Sequence, residues 1–395
     1  MSDIWSACLN ELRRIFALRP VFSILILAPV IYAVFYPQPY LNEALRNVPL
    51  ALVDRDGTAS SRELARRIEA TPDVAITMAL PDLPSAEREV FAHKISGVLL
   101  IPRNFERDLL HGRASPVALY ADASYFLIYQ RISSAVVGVT RAFGVEVETT
   151  RLIGAGVDPA LARAATDPMP LTAVPLFNPQ GGYATYLLPA AFVLILQQTL
   201  LIGVALLATL PTAGARPSIE NVRAGERTLS AVAGKLIAYL ALETVILPLY
   251  LVVLPWFYNV PRLGSLAIIL IFAIPFVLAV AGFALVLAEL FRRPLAVQLA
   301  CAAIGLPFFF LAGFAWPAEA IPTPVQVVAL LVPSTSAIDG FVRISQMGAN
   351  LFEVRLQFAV LWGLAIGYSA IAVMAARWRS RVLRPQLPAG NSERD

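Results

Sequence analysis

Long apolar runs, very unevenly spaced, constrain this chain more than anything else in it. The first, VFSILILAPVIYAVFY at Val21–Tyr36, follows a segment carrying Trp5, Arg13, Arg14 and Arg19. A stretch of mixed polarity from Pro37 to Gly182 then intervenes before the runs resume, at about Tyr183–Leu210, Val232–Tyr258, Gly264–Leu290, Leu295–Ala315 and Phe358–Ala376. A helix needs roughly 17–25 apolar residues to cross hydrocarbon, so each run is a candidate span and the first, extended by Arg19-Pro20, is a short one. With 58% hydrophobic and only 15% charged residues the chain is too apolar for a soluble domain, in which about a quarter of residues are charged. No small-x-small cleavage site follows the first run, and its amphipathic lead-in is longer than the n-region of a signal peptide, so an uncleaved span is expected. The fold class is therefore a polytopic α-helical membrane protein with six transmembrane helices. An α/β extracytoplasmic domain is inserted between the first and second of them.

Arginines sort the ends of the runs. One side collects Arg13, Arg14 and Arg19, then Arg216, Arg223, Arg227 and Lys235, then Arg292 and Arg293, then Arg377, Arg379, Arg381 and Arg384; the other has Arg262, Arg343 and Arg355. By the positive-inside rule both termini face the cytoplasm and the insertion faces outward, across a bacterial inner membrane. Trp256, Tyr258 and Trp316 fall at the outer interface and Trp378 at the inner one, as aromatic belts require. The basic residues track span ends and form no stripe, which argues against nucleic acid as a partner.

The insertion reads as a domain of its own. Segments PLALVD, DVAIT, SGVLLIP and PVALYAD have strand character and alternate with the helical SRELARRIEA, SAEREVFAHKI and FERDLLHG. From Ser124 to Gly156, Tyr125, Ile128, Ile132, Ala135, Val136, Val139, Phe143 and Val147 recur at three- and four-residue steps, predicting one long helix. Residues 168–179 lead back to the membrane in extended form, and the polar tail beyond Leu387 is expected to be disordered.

One chemistry is excluded and others find no positive support. The only lysines, Lys94 and Lys235, follow His93 and Gly234, and neither stands in a G-x-x-x-x-G-K-[ST] phosphate loop. His93 and His111 have no H-E-x-x-H spacing and no nearby cysteine, so no metal site is expected. No G-x-S-x-G elbow marks a hydrolase, and no catalytic residue is assigned. Cys8 and Cys301 lie in the lead-in helix and in an apolar run, outside the insertion where a disulfide would form.

Polar groups within the runs carry more information, because an ionisable side chain in hydrocarbon costs about 2.5–3.5 kcal/mol on insertion scales and must face protein or water. Gln197 and Gln198 lie mid-run in the second span and Glu243 in the first half of the third. Both glutamines suit either interhelical hydrogen bonding or the lining of a translocation path; Glu243 suits a protein- or water-facing position on such a path. Glu289, beside Arg292 and Arg293, reads as interfacial. In the 211–234 loop, SIENVRAGERTLSAVAGKLIAYL reads as a short amphipathic helix on the inner surface. Ile219, Val222 and Leu229 would face lipid, and Glu220, Arg223, Glu226 and Arg227 the cytoplasm, where a second protein can dock. The plainer alternative is a loop whose charges only fix topology.

Together these pieces resemble the type-2 ATP-binding-cassette exporter permeases with a large extracytoplasmic domain between the first two spans. The resemblance is carried by NVPLALVDRDGTASSRELARRIEATPDVAI, GVLLIPRNFERDLLHG, VALYADASYFLIYQ, GGYATYLLPAAFVLILQQTLLIG and LAGFAWPAEAIPTPVQVVALLVPSTSAIDGFVRISQMGA, in that order. It implies a connecting helix at Ile4–Ala17 and a coupling helix at about Ile219–Leu229, both touching the ATPase through residues such as Glu220, Arg223, Glu226 and Arg227. It also implies an outer re-entrant hairpin at 316–349, marked by Trp316, Pro317, Pro322 and Pro333. Many relatives carry E-R-G-T in the coupling loop, where this chain reads Gly225-Glu226-Arg227-Thr228. The implied organisation is a connecting helix at 1–19, a first span at 20–36, the outer domain at 37–182, five spans in 183–376 and a cytoplasmic tail at 377–395.

A polytopic chain without a nucleotide site needs an outside energy source if it pumps. The expectation is the permease of an exporter for an amphiphilic or drug-like substrate, with ATP and Mg on a separate ATPase subunit and no cofactor of its own. A second permease copy or paralogue, a periplasmic adaptor and membrane lipids complete the expected partners. The alternative class is a membrane-anchored sensor or scaffold whose outer domain binds a ligand or partner. A proton-coupled secondary transporter using Glu243 is a third, weakened by the absence of a visible inverted repeat.

Overall fold

The computed structural model describes residues 2–41, 45–179, 181–211 and 224–382, which form two compact units. One comprises Met1–Glu43 with Pro175–Asp395; the other is Ala44–Val174.

Helix α1 (Ser2–Ala17) opens the first unit and has three faces rather than two. Cys8, Glu11 and Ile15 are buried along one stripe, Trp5, Leu9 and Phe16 form an exposed apolar stripe beside it, and Asp3, Ser6, Asn10 and Arg13 lie exposed on the third side. One apolar stripe meets protein and the other is free for lipid, the pattern of a helix lying in a membrane interface. The first span, Arg19–Tyr40, runs through α2 (Arg19–Phe22), a π turn at Ser23–Leu27 and α3 (Ala28–Phe35). Pro29 explains the π turn. It has no N–H to donate, its ring crowds the carbonyl four residues back, and a wider turn relieves both problems.

In the second unit β1 (Val48–Asp54), α4 (Ala59–Glu69), β2 (Val74–Ala79), α5 (Leu83–Phe91), β3 (Gly97–Ile101), α6 (Phe105–Leu110) and β4 (Ala118–Ala121) follow in turn. The sheet order is β2-β1-β3-β4, with β1 parallel to both neighbours and β4 antiparallel to β3. Alternation along β1 sends Val48 and Leu50 to one core, with Leu64, Ile68, Phe105 and Ile132, and Ala51 and Val53 to another, with Ala86 and Ile95. Helices thus cover both faces, as parallel strands require. Thr58 and Asp82 cap α4 and α5, accepting from the Ser61 and Ser85 N–H groups. The expected long helix is α7 (Phe126–Gly154), about 43 Å at 1.5 Å per residue. Helix α8 (Pro159–Thr166) was not anticipated, although Asp158 capping it ahead of Pro159 is a legible start signal.

The first unit continues with α9 (Tyr183–Thr209), α10 (Ala224–Pro248), a π turn at Leu249–Val253 ahead of Pro255, α11 (Leu254–Phe257), α12 (Leu266–Phe291) and α13 (Pro294–Leu311). Then come α14 (Thr323–Ala329), α15 (Pro333–Met347) and α16 (Arg355–Val382). Among the described residues six helices are long and apolar enough to cross a membrane, or seven if the bent pair α14 and α15 counts as one span. Helix α9 is central: 78% of its most apolar window is buried within the chain, against 11% for α13 and 22% for α16. Helices α12 and α16 cross closely at Gly282, where a Cβ would lie 3.1 Å from the Tyr368 Cβ. Small residues permit such approach where packing, not hydrophobic exclusion, holds helices together.

Candidate functional site: coupling collar and intramembrane polar groups

At one end of the helical unit α1 is fastened to two spans. Helix α10 meets it through Gly234, where a Cβ would stand 2.6 Å from both the Ala7 Cβ and the Ile4 carbonyl oxygen, so the backbones touch. One turn on, the buried Tyr239 hydroxyl donates to Glu11 Oε1 at 2.7 Å. Glu11, only 2% exposed, pairs through Oε2 with Arg14 at 3.4 Å. Arg14 Nη2 in turn donates to the Leu207 and Leu210 carbonyls at 3.1 and 3.2 Å. Leu207 is in the last turn of α9 and Leu210 is its C-cap, where no intrahelical donor remains for either carbonyl. A buried carboxylate, a cation and a helix C-terminus thus satisfy one another, the condition under which charge burial is tolerated.

Sequence reasoning had used Arg14 only as a topology signal and missed Glu11 and Tyr239. The available signal was Glu11 itself, a charge lying between Cys8 and Ile15 on the apolar stripe of an amphipathic helix. Burial also pushes the Cys8 thiol above its ordinary pKa, which keeps it unreactive. A cavity of about 310 Å³ opens at the same end among α9, α10, α12 and α16, with Lys235 and Glu289 in its wall.

Of the four coupling residues expected, Glu220 and Arg223 lie outside the described residues, as do Ile219 and Val222. Glu226 and Arg227 fall in the first turn of α10. The surface helix expected to reach Leu229 is corrected in its second half: from Ala224 the chain already belongs to the third span's helix. GERTLSAVAGKL contains no proline, and the close contact at Gly234 lets the span run straight into the collar.

The intramembrane polar residues do not converge on one another. Gln197, 2% exposed, donates to Ser334 Oγ at 3.0 Å and accepts from the Ser334 N–H at 2.7 Å, meeting an orphan donor in the first turn of α15. Gln198 donates to the Cys301 carbonyl of α13 at 2.7 Å. Both glutamines therefore join α9 to neighbouring helices. Glu243 is 3% exposed, and its Oε2 has no hydrogen-bond partner among the described residues. Tyr250, seven residues on, donates to the Pro29 carbonyl at 2.6 Å.

The opposite end is built around the hairpin. Pro317 precedes a 3-10 turn at Ala318–Ala320, Pro322 precedes α14, and the buried Pro333 starts α15, bent by 86° from α14. Trp316 is exposed. Gln346 donates to the Thr185 carbonyl at 2.5 Å, the Leu263 N–H to the Ser345 carbonyl at 2.8 Å, and the Tyr186 hydroxyl to the Phe314 carbonyl. The insertion leaves and rejoins the helical unit here, where the Tyr40 and Tyr183 rings stand 5.9 Å apart.

The sequence profile described as "ABC-2 family transporter protein" matches residues 19–374, from the first span to near the end of α16. The chain belongs to the ABC-2 transporter family. It is 21% identical over 333 residues to a protein of Escherichia coli K12 named "Probable multidrug ABC transporter permease YbhR", covering 84% of this chain and 86% of that one. The same figures hold for the protein of that name in Escherichia coli O157:H7. An ABC-2 permease is the membrane subunit of a transporter and not its nucleotide-binding domain, so membership implies an ATPase partner. The family resemblance read from the sequence holds at this level, as does the multi-pass helical architecture.

Proposed function

We propose that this ABC-2 permease is the membrane half of an exporter in a bacterial cytoplasmic membrane, moving an amphiphilic or drug-like substrate outward. A separate ATPase carries the ATP and Mg and docks on the collar end, and a second copy or paralogue completes the transporter. Both termini are cytoplasmic and the α/β unit stands outside. The observation that carries this reading is the collar: an interfacial helix fixed to two spans by Glu11, Arg14 and Tyr239 transmits a partner's rigid-body movement instead of absorbing it. The names of the E. coli relatives favour a drug-like substrate. Glu243 is the candidate for the path, since its unpartnered oxygen has most to gain from a water-filled or cation-bearing passage.

The test is copurification from native membranes followed by ATP-driven transport in inside-out vesicles. An ATPase subunit should copurify, and reversing charge at Arg223 and Arg227 together should reduce transport with insertion intact. Reporter fusions at Ala70 and Ser218 should report outer and cytoplasmic locations respectively. Both sites on one side, or no associated ATPase, would overturn the proposal.

A further inference from the structure

A cleft of about 670 Å³ opens at the hairpin end of the helical unit, among α9, the end of α13, α14, α15 and the start of α16. That volume is within the roughly 300–1,000 Å³ of small-molecule sites. Its walls are mostly apolar, with Leu330, Ile338, Val342 and Val360 prominent, and two aromatic side chains, Tyr186 and Phe314, contribute to them.

The polar groups on these walls are biased. Asp339 accepts from Arg343 Nε at 2.7 Å and from Gln357 Nε2 at 2.5 Å, so its charge is matched. Glu319 is exposed on the lining and has no ion-pair partner among the described residues. Gln357 Oε1 and Thr335 Oγ1, on two wall residues, lack hydrogen-bond partners among the described residues. A carboxylate and an amide oxygen only accept, the Thr335 hydroxyl can do either, and among the charged residues of the lining Glu319 alone is uncompensated, so the net potential there is negative. An anionic lipid headgroup would be repelled, and a neutral hydrocarbon would leave the Glu319 charge unanswered. A cation with an apolar body answers both features, its charge meeting the carboxylate electrostatically and its bulk meeting the apolar walls.

We infer that this cleft binds a hydrophobic organic cation, with Glu319 supplying the unmatched charge and the α14–α15 hairpin one wall. The inference deepens the export reading by naming a substrate class, and rests on that reading only for the use made of the bound cation. Nothing in the binding itself needs the ATPase.

The experiment is direct binding of tritiated tetraphenylphosphonium to the purified full-length chain in nanodiscs of zwitterionic lipid, with empty discs subtracted. Tetraphenylborate, nearly identical in shape and opposite in charge, is measured separately. Tetraphenylphosphonium should bind saturably, at least tenfold tighter than the borate. Glu319→Gln, at a side chain without an ion-pair partner, should weaken it threefold or more, and Val342→Trp, which fills the cleft, should remove saturable binding. Leu299→Trp, on the exposed side of α13, should change nothing. Non-saturable uptake, equal affinity for the borate, or unchanged binding in both cleft variants would overturn the inference. Saturable cation binding without ATP-driven movement in ATPase-containing vesicles would keep the cleft and remove the export reading. ATP-driven movement of other compounds without cation binding would do the reverse.

Discussion

The Tyr239 hydroxyl is a small group with a disproportionate task. It is the donor that matches Glu11 from α10, so Tyr239→Phe leaves a buried carboxylate with Arg14 alone at 3.4 Å. A hydrogen bond to a charged group contributes about 1.5–3 kcal/mol. Since about 1.4 kcal/mol is tenfold in an equilibrium, the detachment of α1 should become roughly 10- to 150-fold more frequent. Cys8 reports this directly. It lies on the same buried stripe, 2% exposed, and burial pushes its thiol pKa up, so labelling requires local opening. In a Cys301→Ser background, the rate of Cys8 labelling by a maleimide should rise by that factor in Tyr239→Phe. Glu11→Gln, which keeps an acceptor for Tyr239 but frees Arg14, should give a comparable rise, and coupling of ATP hydrolysis to transport should fall in both. A labelling change of less than threefold in properly inserted protein would refute the collar argument, because the hydrogen bond would then be holding nothing.

Three further outcomes follow from the geometry. Gly234→Ala places a methyl 2.6 Å from the Ile4 carbonyl, so α1 must shift at a cost of about 1–3 kcal/mol, read as faster Cys8 labelling; an unchanged rate would show that the helices do not touch there. In the α/β unit Arg67 bridges Glu63 on α4 and Glu146 on α7 and holds both carboxyls below their usual range. Depressed carboxylates contribute stability above about pH 4.5 that is lost as pH falls through their lowered values, so acid should lower the unit's melting temperature by circular dichroism. Glu146→Gln should blunt that acid sensitivity, and a superimposable pH profile would discount the bridge. Glu243→Gln keeps shape and hydrogen bonding, so the variant should insert normally and alter export of cationic compounds; normal transport, or loss from the membrane, would assign Glu243 to helix packing instead.

What the sequence made legible follows from what the membrane enforces. Hydrocarbon forbids unsatisfied backbone, so span positions are written as apolar runs, and the described spans end close to where the runs end. The strands were legible for a different reason: Leu50 and Val53 sit on opposite faces of a sheet covered on both, and two buried faces leave a continuous apolar run. Partners were not legible. Gln197 reads the same in sequence whether it lines a path or bonds to a helix; its partner Ser334 lies 137 residues away, and no local pattern encodes that distance. The Glu11 contact to Tyr239 spans 228 residues and depends on Gly234 bringing two backbones together. Such pairs matter most in this protein because lipid supplies no hydrogen bonds, so each polar side chain either finds another helix or borders water. Glu243 Oε2 has found no helix partner among the described residues, which is why it, and not the satisfied glutamines, is the intramembrane residue whose removal should change what is carried rather than how the bundle holds together.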